Sequence, residues 1–245
     1  MKVNTDAVLL GAWLHLPQNE DGQQTLRALD IGTGTGVIAL MAGQRFAQNG
    51  TNAEIVAVEI DENACKDALR NFNDAPWGGV SFFLKNESLQ EFAKNYREKF
   101  NLIFSNPPYF IDSLKNNDNS KSVARHTDTL TQREILFYGA QLLKEDGLLA
   151  LVLPVTEGEE FLRKVEFLKN NTPAGEYFFT HRRVCRVHTV ERKPAKRILI
   201  ELKLVKQLPQ GEQAKKEPFV EERLIMLSNG ANTEQYSNLV GDFYL

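Results

Sequence analysis

At 245 residues, 42% hydrophobic and 25% charged, the chain can bury a sizeable core and has an ordinary globular composition, which excludes collagen-like, wholly disordered and coiled-coil classes. Its longest apolar run, Leu148 to Leu153, is a strand length and too short to cross a bilayer; Lys2, Thr5 and Asp6 leave no apolar secretory stretch, and two cysteines, Cys65 and Cys185, are too few for a disulfide framework or a cysteine zinc site, so a cytoplasmic location is expected. The net charge of -3 gives no general affinity for nucleic acid, but His181 to Arg197 carries seven Lys or Arg against one acid, a basic island on an acidic body.

In chain order, Arg27 to Ile31 reads as a strand and Gly36 to Phe46 as the helix after it. Ile55 to Glu59 is a second β-branched run, followed by a helical pattern over Asn63 to Asn73. Val80 to Leu84, Leu102 to Ser105 and Leu148 to Leu153 are further strands, with helices over Leu89 to Tyr96 and Thr131 to Leu143 between them. Strict alternation of strand and helix calls for an α/β fold, a parallel sheet with helices on both faces, and buried parallel strands read as continuous apolar runs, as these do. Asp112 to Thr127 is polar and reads as a loop; Gln207 to Pro218 reads as a polar hairpin connection or linker. No second-domain boundary is evident, so a single domain over 1–245 is expected, with its core over 27–153.

Asp30-Ile31-Gly32-Thr33-Gly34-Thr35-Gly36 lies directly after a strand and opens a helix. Glycines at alternate positions let the backbone turn sharply and approach a ligand, and the helix N-terminus adds free N–H groups. A dinucleotide site spaces its glycines G-x-G-x-x-G; here the spacing is G-x-G-x-G behind an acid, closer to an S-adenosylmethionine site. Glu59, ending the next strand, is placed to accept from ribose hydroxyls. The same glycines also fit a bare strand-to-helix turn, and Glu59 fits a solvated strand end.

Asn106-Pro107-Pro108-Tyr109 follows the strand Leu102 to Ser105 and therefore stands at the carboxyl edge of the sheet, where open α/β sheets bind ligands. An exocyclic amine on an aromatic ring is a poor nucleophile because its lone pair is delocalised. The Asn106 side-chain oxygen and the Pro107 carbonyl can accept its two N–H bonds and stabilise the charge that develops during attack. Pro107 and Pro108 stiffen the backbone, and Tyr109 can stack on a purine. A sulfonium methyl donor needs no metal and no covalent enzyme step, and His15, His126, His181 and His188 show no metal-ligand spacing.

Together these motifs resemble the class I methyltransferases with an NPPY amino-methylation motif. Lys2 to Trp13 (KVNTDAVLLGAW) narrows the resemblance to the tRNA1(Val) adenine-37 N6-methyltransferases, with Pro76-Trp77, Arg125-His126-Thr127 and Tyr236 to Leu245 in keeping. The resemblance implies a Rossmann-like, seven-stranded, mostly parallel sheet with an antiparallel C-terminal hairpin, an opening helix over 1–16, and C-terminal strands with a basic substrate face over 175–245. It implies methylation of adenine N6 in tRNA, with S-adenosyl-L-methionine converted to S-adenosyl-L-homocysteine. Members of that family carry further residues ahead of the Lys2 segment, so a preceding stretch is expected.

Carried over position by position, the resemblance places Thr5 and Asp6 near the methionine end of the cofactor. It puts Asp30, Gly32 and Gly34 along the cofactor, Glu59 on its ribose, and Glu87, where Asp is the familiar residue, on its adenine amine. Arg125, Arg182, Arg183, Arg186, Lys193, Lys196 and Arg197 are the expected RNA-facing cations, Lys and Arg being the residues that neutralise phosphates. An anticodon-loop adenine is cheaper to flip outward than a base in a continuous duplex. Two other readings remain open: a glutamine N5-methyltransferase of the release-factor type, and a protein that binds tRNA or S-adenosylmethionine without catalysis. A nicotinamide dehydrogenase gives Asn106 to Tyr109 no role.

Overall fold

The computed structural model describes residues 4–18, 24–108, 130–173, 175–207 and 218–243. The apolar runs form strands: β1 (Leu26–Ile31), β2 (Ala53–Glu59), β3 (Val80–Asn86), β4 (Phe100–Ser105) and β5 (Leu143–Pro154). In β1, β2 and β4 nearly every residue is buried, whereas β3 alternates half-buried and exposed positions, because it is the outermost strand on its side. β6 (Tyr177–Val190), β7 (Arg197–Lys206), β8 (Val220–Ser228) and the two-residue β9 (Ala231–Asn232) complete a sheet ordered β3-β2-β1-β4-β5-β7-β6-β8-β9.

β1 to β5 pair in parallel, and β7 lies antiparallel between β5 and β6. The sheet thus has the expected parallel core and antiparallel β6–β7 hairpin, but among the described residues it has nine strands where seven were expected. β8 adds in parallel to β6, and β9 turns back on β8. This also corrects the hairpin reading of Gln207 to Pro218: β7 and β8 run antiparallel to each other but lie on opposite sides of β6, so the segment joins strands that do not pair.

Side chains of successive strand residues point to opposite faces, which divides the core in two. Leu26, Ala28, Ile55, Leu102 and Phe104 face one cluster with Leu9, Leu10, Met41, Phe46 and Tyr236. These come from α1 (Thr5–Trp13), α2 (Val37–Gln48) and α7 (Glu234–Val240), and Phe72 of α3 (Glu62–Asn73) joins them. Leu29, Ile31, Val56, Val58 and Ile103 face the other cluster, under α4 (Leu89–Asn95), α5 (Gln132–Leu142) and α6 (Val155–Asn170), with Phe92, Ile135 and Phe161 fully buried or nearly so. Burying one such side chain contributes about 1.5–3 kcal/mol.

Helix starts are set by side chains that accept otherwise orphaned N–H groups. Asn4, Asp61 and Ser88 cap α1, α3 and α4, and Thr131 with Glu134 forms a capping box on α5. The sequence reading of an opening helix over 1–16 is shortened to Thr5–Trp13, with Leu14 as its C-cap. α1 runs the height of the sheet. Its first turn meets Arg197 at the carboxyl edge, and just beyond its end His15 and Pro17 line a cavity of about 240 Å³ with Asn101, Gly147 and Leu148 at the other edge.

Candidate cofactor and substrate site

The glycine loop leaves the carboxyl end of β1. Gly32 and Thr33 donate their N–H groups to the Val58 carbonyl, at 2.9 and 3.1 Å, which folds the loop against the end of β2. Gly32, Gly34 and Gly36 all have positive φ, at 67°, 56° and 86°, a region costly for residues with a Cβ. They differ in surroundings: a Cβ at Gly36 would sit 2.5 Å from the Phe72 ring, whereas one at Gly32 or Gly34 would meet nothing within 4 Å. Gly36 is therefore needed for helix packing, and the space beside Gly32 and Gly34 is open.

Two carboxylates organise this loop. Asp30 is completely buried; its Oδ2 accepts from the Thr33 hydroxyl at 2.7 Å, and its Oδ1 accepts no hydrogen bond. Burial pushes the Asp30 carboxyl up to about 7, opposed by the Thr33 hydroxyl and the Ala39 backbone N–H and helped by the Glu59 charge. Glu59, at the end of β2, accepts from the Gly34 N–H on Oε2 and from the Ile60 and Asp61 N–H groups on Oε1. Asn86 ends β3 opposite Glu59 and donates to the Glu59 and Ile60 carbonyls, which places the half-buried Glu87 at the same edge.

β4 lies directly beside β1, with Ser105 level with Ile31. The buried Ser105 hydroxyl donates to the Ile31 carbonyl at 2.7 Å, so the strand leading to Asn106 is fastened to the strand leading to the glycine loop. Asn106 is half-buried, Pro107 buried and Pro108 exposed; Tyr109 and Arg125 lie outside the described residues. Ser105, Thr33 and Asn86 escaped the sequence reading, as did Asn71, which donates to the Thr35 carbonyl at 2.8 Å. Ser105 alone left a signal, as the one hydroxyl ending an apolar strand.

The opening helix reaches the same edge. Thr5 is exposed in its first turn, and Asp6 is buried and paired with Arg197, Nε to Oδ2 at 2.7 Å. The basic segment proves to be of two kinds. Arg182 and Arg183 pair with the fully buried Glu201, Arg183 also stacks on the Trp13 ring and reaches Glu222, and Arg186 pairs with Glu159 and Glu221. Arg192, Lys193 and Lys196, by contrast, are exposed on the turn between β6 and β7. Because Arg197 stands opposite Pro154 at the end of β5, that turn projects from the carboxyl edge, the edge of the glycine loop and Asn106. Among the described residues no group of three or more His, Cys, Asp or Glu could hold a metal, and no helix is long and apolar enough to cross a membrane.

Known proteins share this architecture and sequence. Residues 11–176 match the family described as the methyltransferase small domain. The chain is 35% identical to a tRNA1(Val) (adenine(37)-N6)-methyltransferase of Photobacterium profundum over 100% of its own length and 92% of the relative's. It is 36% identical to one of Parabacteroides distasonis, over 100% and 91%. The fold is also that of a predicted O-methyltransferase from Agrobacterium tumefaciens, at a TM-score of 0.62 and 16% identity, covering 97% of this chain and 96% of that one. With a family match over most of its length and relatives above 30% identity from end to end, the chain belongs to the tRNA1(Val) (adenine(37)-N6)-methyltransferase family.

Proposed function

We propose that the protein transfers a methyl group from S-adenosylmethionine to N6 of an adenine in tRNA, adenine 37 of tRNA1(Val) by its kinship, and that it works in the cytoplasm. The observation that carries the reading is the adjacency of β1 and β4, which brings the glycine loop and Asn106-Pro107 out of the sheet side by side. The residues present fit the cofactor. Open space lies beside Gly32 and Gly34, Glu59 offers carboxylate oxygens at the end of β2, and Asp30 keeps a buried oxygen without a partner.

When bound, S-adenosylmethionine supplies a methyl group already activated by its sulfonium. Glu59 takes the ribose, Glu87 the adenine amine, and Thr5 and Asp6 the methionine end. For the substrate, Asn106 and the Pro107 carbonyl accept the N–H bonds of the adenine amine, orient its lone pair and stabilise the positive charge that grows on nitrogen as the new N–C bond forms. The methylated amine, a strong acid once it carries the positive charge, then gives up one proton to water. Pro107, buried and conformationally fixed, holds its carbonyl in place at little entropic cost, and Tyr109 stacks on the flipped base. The exposed Arg192, Lys193 and Lys196 turn supplies phosphate contacts, with Arg125 as a further candidate.

The test is label transfer from tritiated S-adenosylmethionine to unmodified valine tRNA, with a release factor as parallel acceptor. Label recovered as N6-methyladenosine and lost in Asn106→Ala, with cofactor binding and fold intact, is the expected result. Label in the release factor alone overturns the RNA assignment, and undiminished turnover in Asn106→Ala overturns the role of Asn106.

A further inference from the structure

Arg197 is the residue at which the opening helix and the cationic turn meet. Its Nε lies 2.7 Å from Asp6 Oδ2, and the two side chains are 29% and 10% exposed. A second guanidinium nitrogen donates to the Lys196 carbonyl at 3.0 Å, and the Lys196 N–H closes the turn on the Val187 carbonyl at 2.9 Å. Asp6 sits in the first turn of α1, its own N–H held by the Asn4 side chain. Arg197 stands level with Pro154, and Leu151, in the same strand, stands level with Ser105. The pair therefore lies at the edge from which Asn106 departs.

We propose that Arg197 is a positioning residue for the cofactor rather than a phosphate contact: it fixes Asp6, and with it the first turn of α1, against the carboxyl edge. The inference rests on the reading of Asp6 as a cofactor-facing group. Its physical basis is the small exposure of the carboxylate. Removing the guanidinium takes a charge-assisted bond from a carboxylate nearly closed off from water, and the first turn of α1 loses that tether to the sheet edge. A guanidinium suits the place because one planar group donates in two directions, to Asp6 and to the Lys196 carbonyl, which a single ammonium nitrogen does less well.

The test uses full-length protein carrying Arg197→Gln, Arg197→Lys, Asp6→Asn and the Arg197→Gln/Asp6→Asn pair, with Lys193→Gln for comparison. Calorimetry measures S-adenosylhomocysteine binding, and tRNA affinity is followed across a salt series. Arg197→Gln is expected to weaken S-adenosylhomocysteine roughly tenfold or more, the size of one lost charge-assisted contact. KM for S-adenosylmethionine should rise in step, while tRNA affinity and its salt slope stay as in the parent protein. Asp6→Asn should show the same loss, the double variant should be no worse than either single one, and Arg197→Lys should recover part of the binding.

Lys193→Gln should do the opposite, lowering the salt slope by about 1 and sparing S-adenosylhomocysteine. A fall in the salt slope of Arg197→Gln with S-adenosylhomocysteine binding intact makes Arg197 a phosphate contact and overturns the proposal. Additive losses in the double variant, or unchanged affinity for both ligands, overturn it too. If Arg197→Gln does not fold, Arg197→Lys and Asp6→Asn carry the same comparison. A parent protein that binds no S-adenosylhomocysteine would instead refute the cofactor reading itself.

Discussion

Gly34 donates its backbone N–H to Glu59 Oε2 at 2.8 Å, so the glycine loop after β1 and the end of β2 are held by one carboxylate. The other oxygen of Glu59 accepts from Ile60 and Asp61, at 2.9 and 3.0 Å, fixing the turn into α3. Both oxygens face donors, so an amide cannot replace the carboxylate without turning its NH2 toward an N–H. Glu59→Gln and Glu59→Ala are both expected to weaken S-adenosylhomocysteine roughly tenfold or more and to lower the melting temperature by a few degrees. Calorimetric titration and thermal melts read the two effects, and an affinity for Glu59→Gln within twofold of the parent would show that the carboxylate is dispensable.

The three loop glycines divide into two experiments. All have left-handed backbones, so alanine costs about 1–2 kcal/mol at each. At Gly36 the new methyl also runs into Phe72, and the damage should fall on stability, measured as a shifted denaturant midpoint. At Gly32 the methyl enters open space, and the damage should fall on cofactor affinity instead. If Gly32→Ala bound S-adenosylhomocysteine as well as Gly36→Ala, the open space would not be the ligand's.

The strands of the parallel core and the glycine loop were legible because burial on both faces leaves an unbroken apolar run, and because the loop needs glycine at fixed spacing. β8 and its place beside β6 were not, since the Val220 to Ser228 strand buries only Leu224 fully and carries three charges, Glu221, Glu222 and Arg223, which hide any pattern. The charge of the basic segment was visible, but not its division. Composition gives Arg182 and Lys193 equal weight, and only the register of β6 against β7 and β8 brings Glu201 and Glu221 close enough to claim the arginines. Ser105 and Asn86 belong to the same class of feature, polar groups whose partners are distant in sequence.

Asp30 makes stability depend on pH. Its carboxyl is held at about 7 by burial, above the ordinary 3.8, so the folded state grips the proton more tightly than the unfolded one. The stability of the neutral form is fully present below about pH 4 and is lost as pH rises toward 7, by on the order of 4 kcal/mol at 1.36 kcal/mol per unit. Asp30→Asn cannot titrate. Urea unfolding across this range should therefore show the parent losing stability relative to Asp30→Asn between pH 4 and 7 and running parallel to it above 8. Curves parallel throughout would mean that Asp30 is ionised at its ordinary pKa.

The two kinds of cation in the basic segment should separate cleanly in RNA binding. Counterion release makes affinity fall with salt in proportion to the phosphates neutralised. Lys193→Gln and Lys196→Gln, on the exposed turn, are each expected to reduce the slope of log K against log salt by about 1, and surface changes of this kind alter stability by only about 0.5 kcal/mol. Arg182→Ala should do the reverse. Glu201 has a side chain 1% exposed and, among the described residues, would keep Arg183, at 3.5 Å, as a counter-charge. Removing one partner of a buried ion pair costs about 3 kcal/mol or more, and the remaining arginine should hold the loss below that while the salt slope stays unchanged. Arg186→Ala should likewise leave the salt slope unchanged, since its guanidinium is shared between Glu159 and Glu221, but these carboxylates are 36% and 59% exposed and the loss of stability should be about 1 kcal/mol or less. If Arg182→Ala or Arg186→Ala lowered the slope as much as Lys193→Gln does, those arginines would be leaving their carboxylates for phosphate when RNA binds, and the interface would extend down the face of β6.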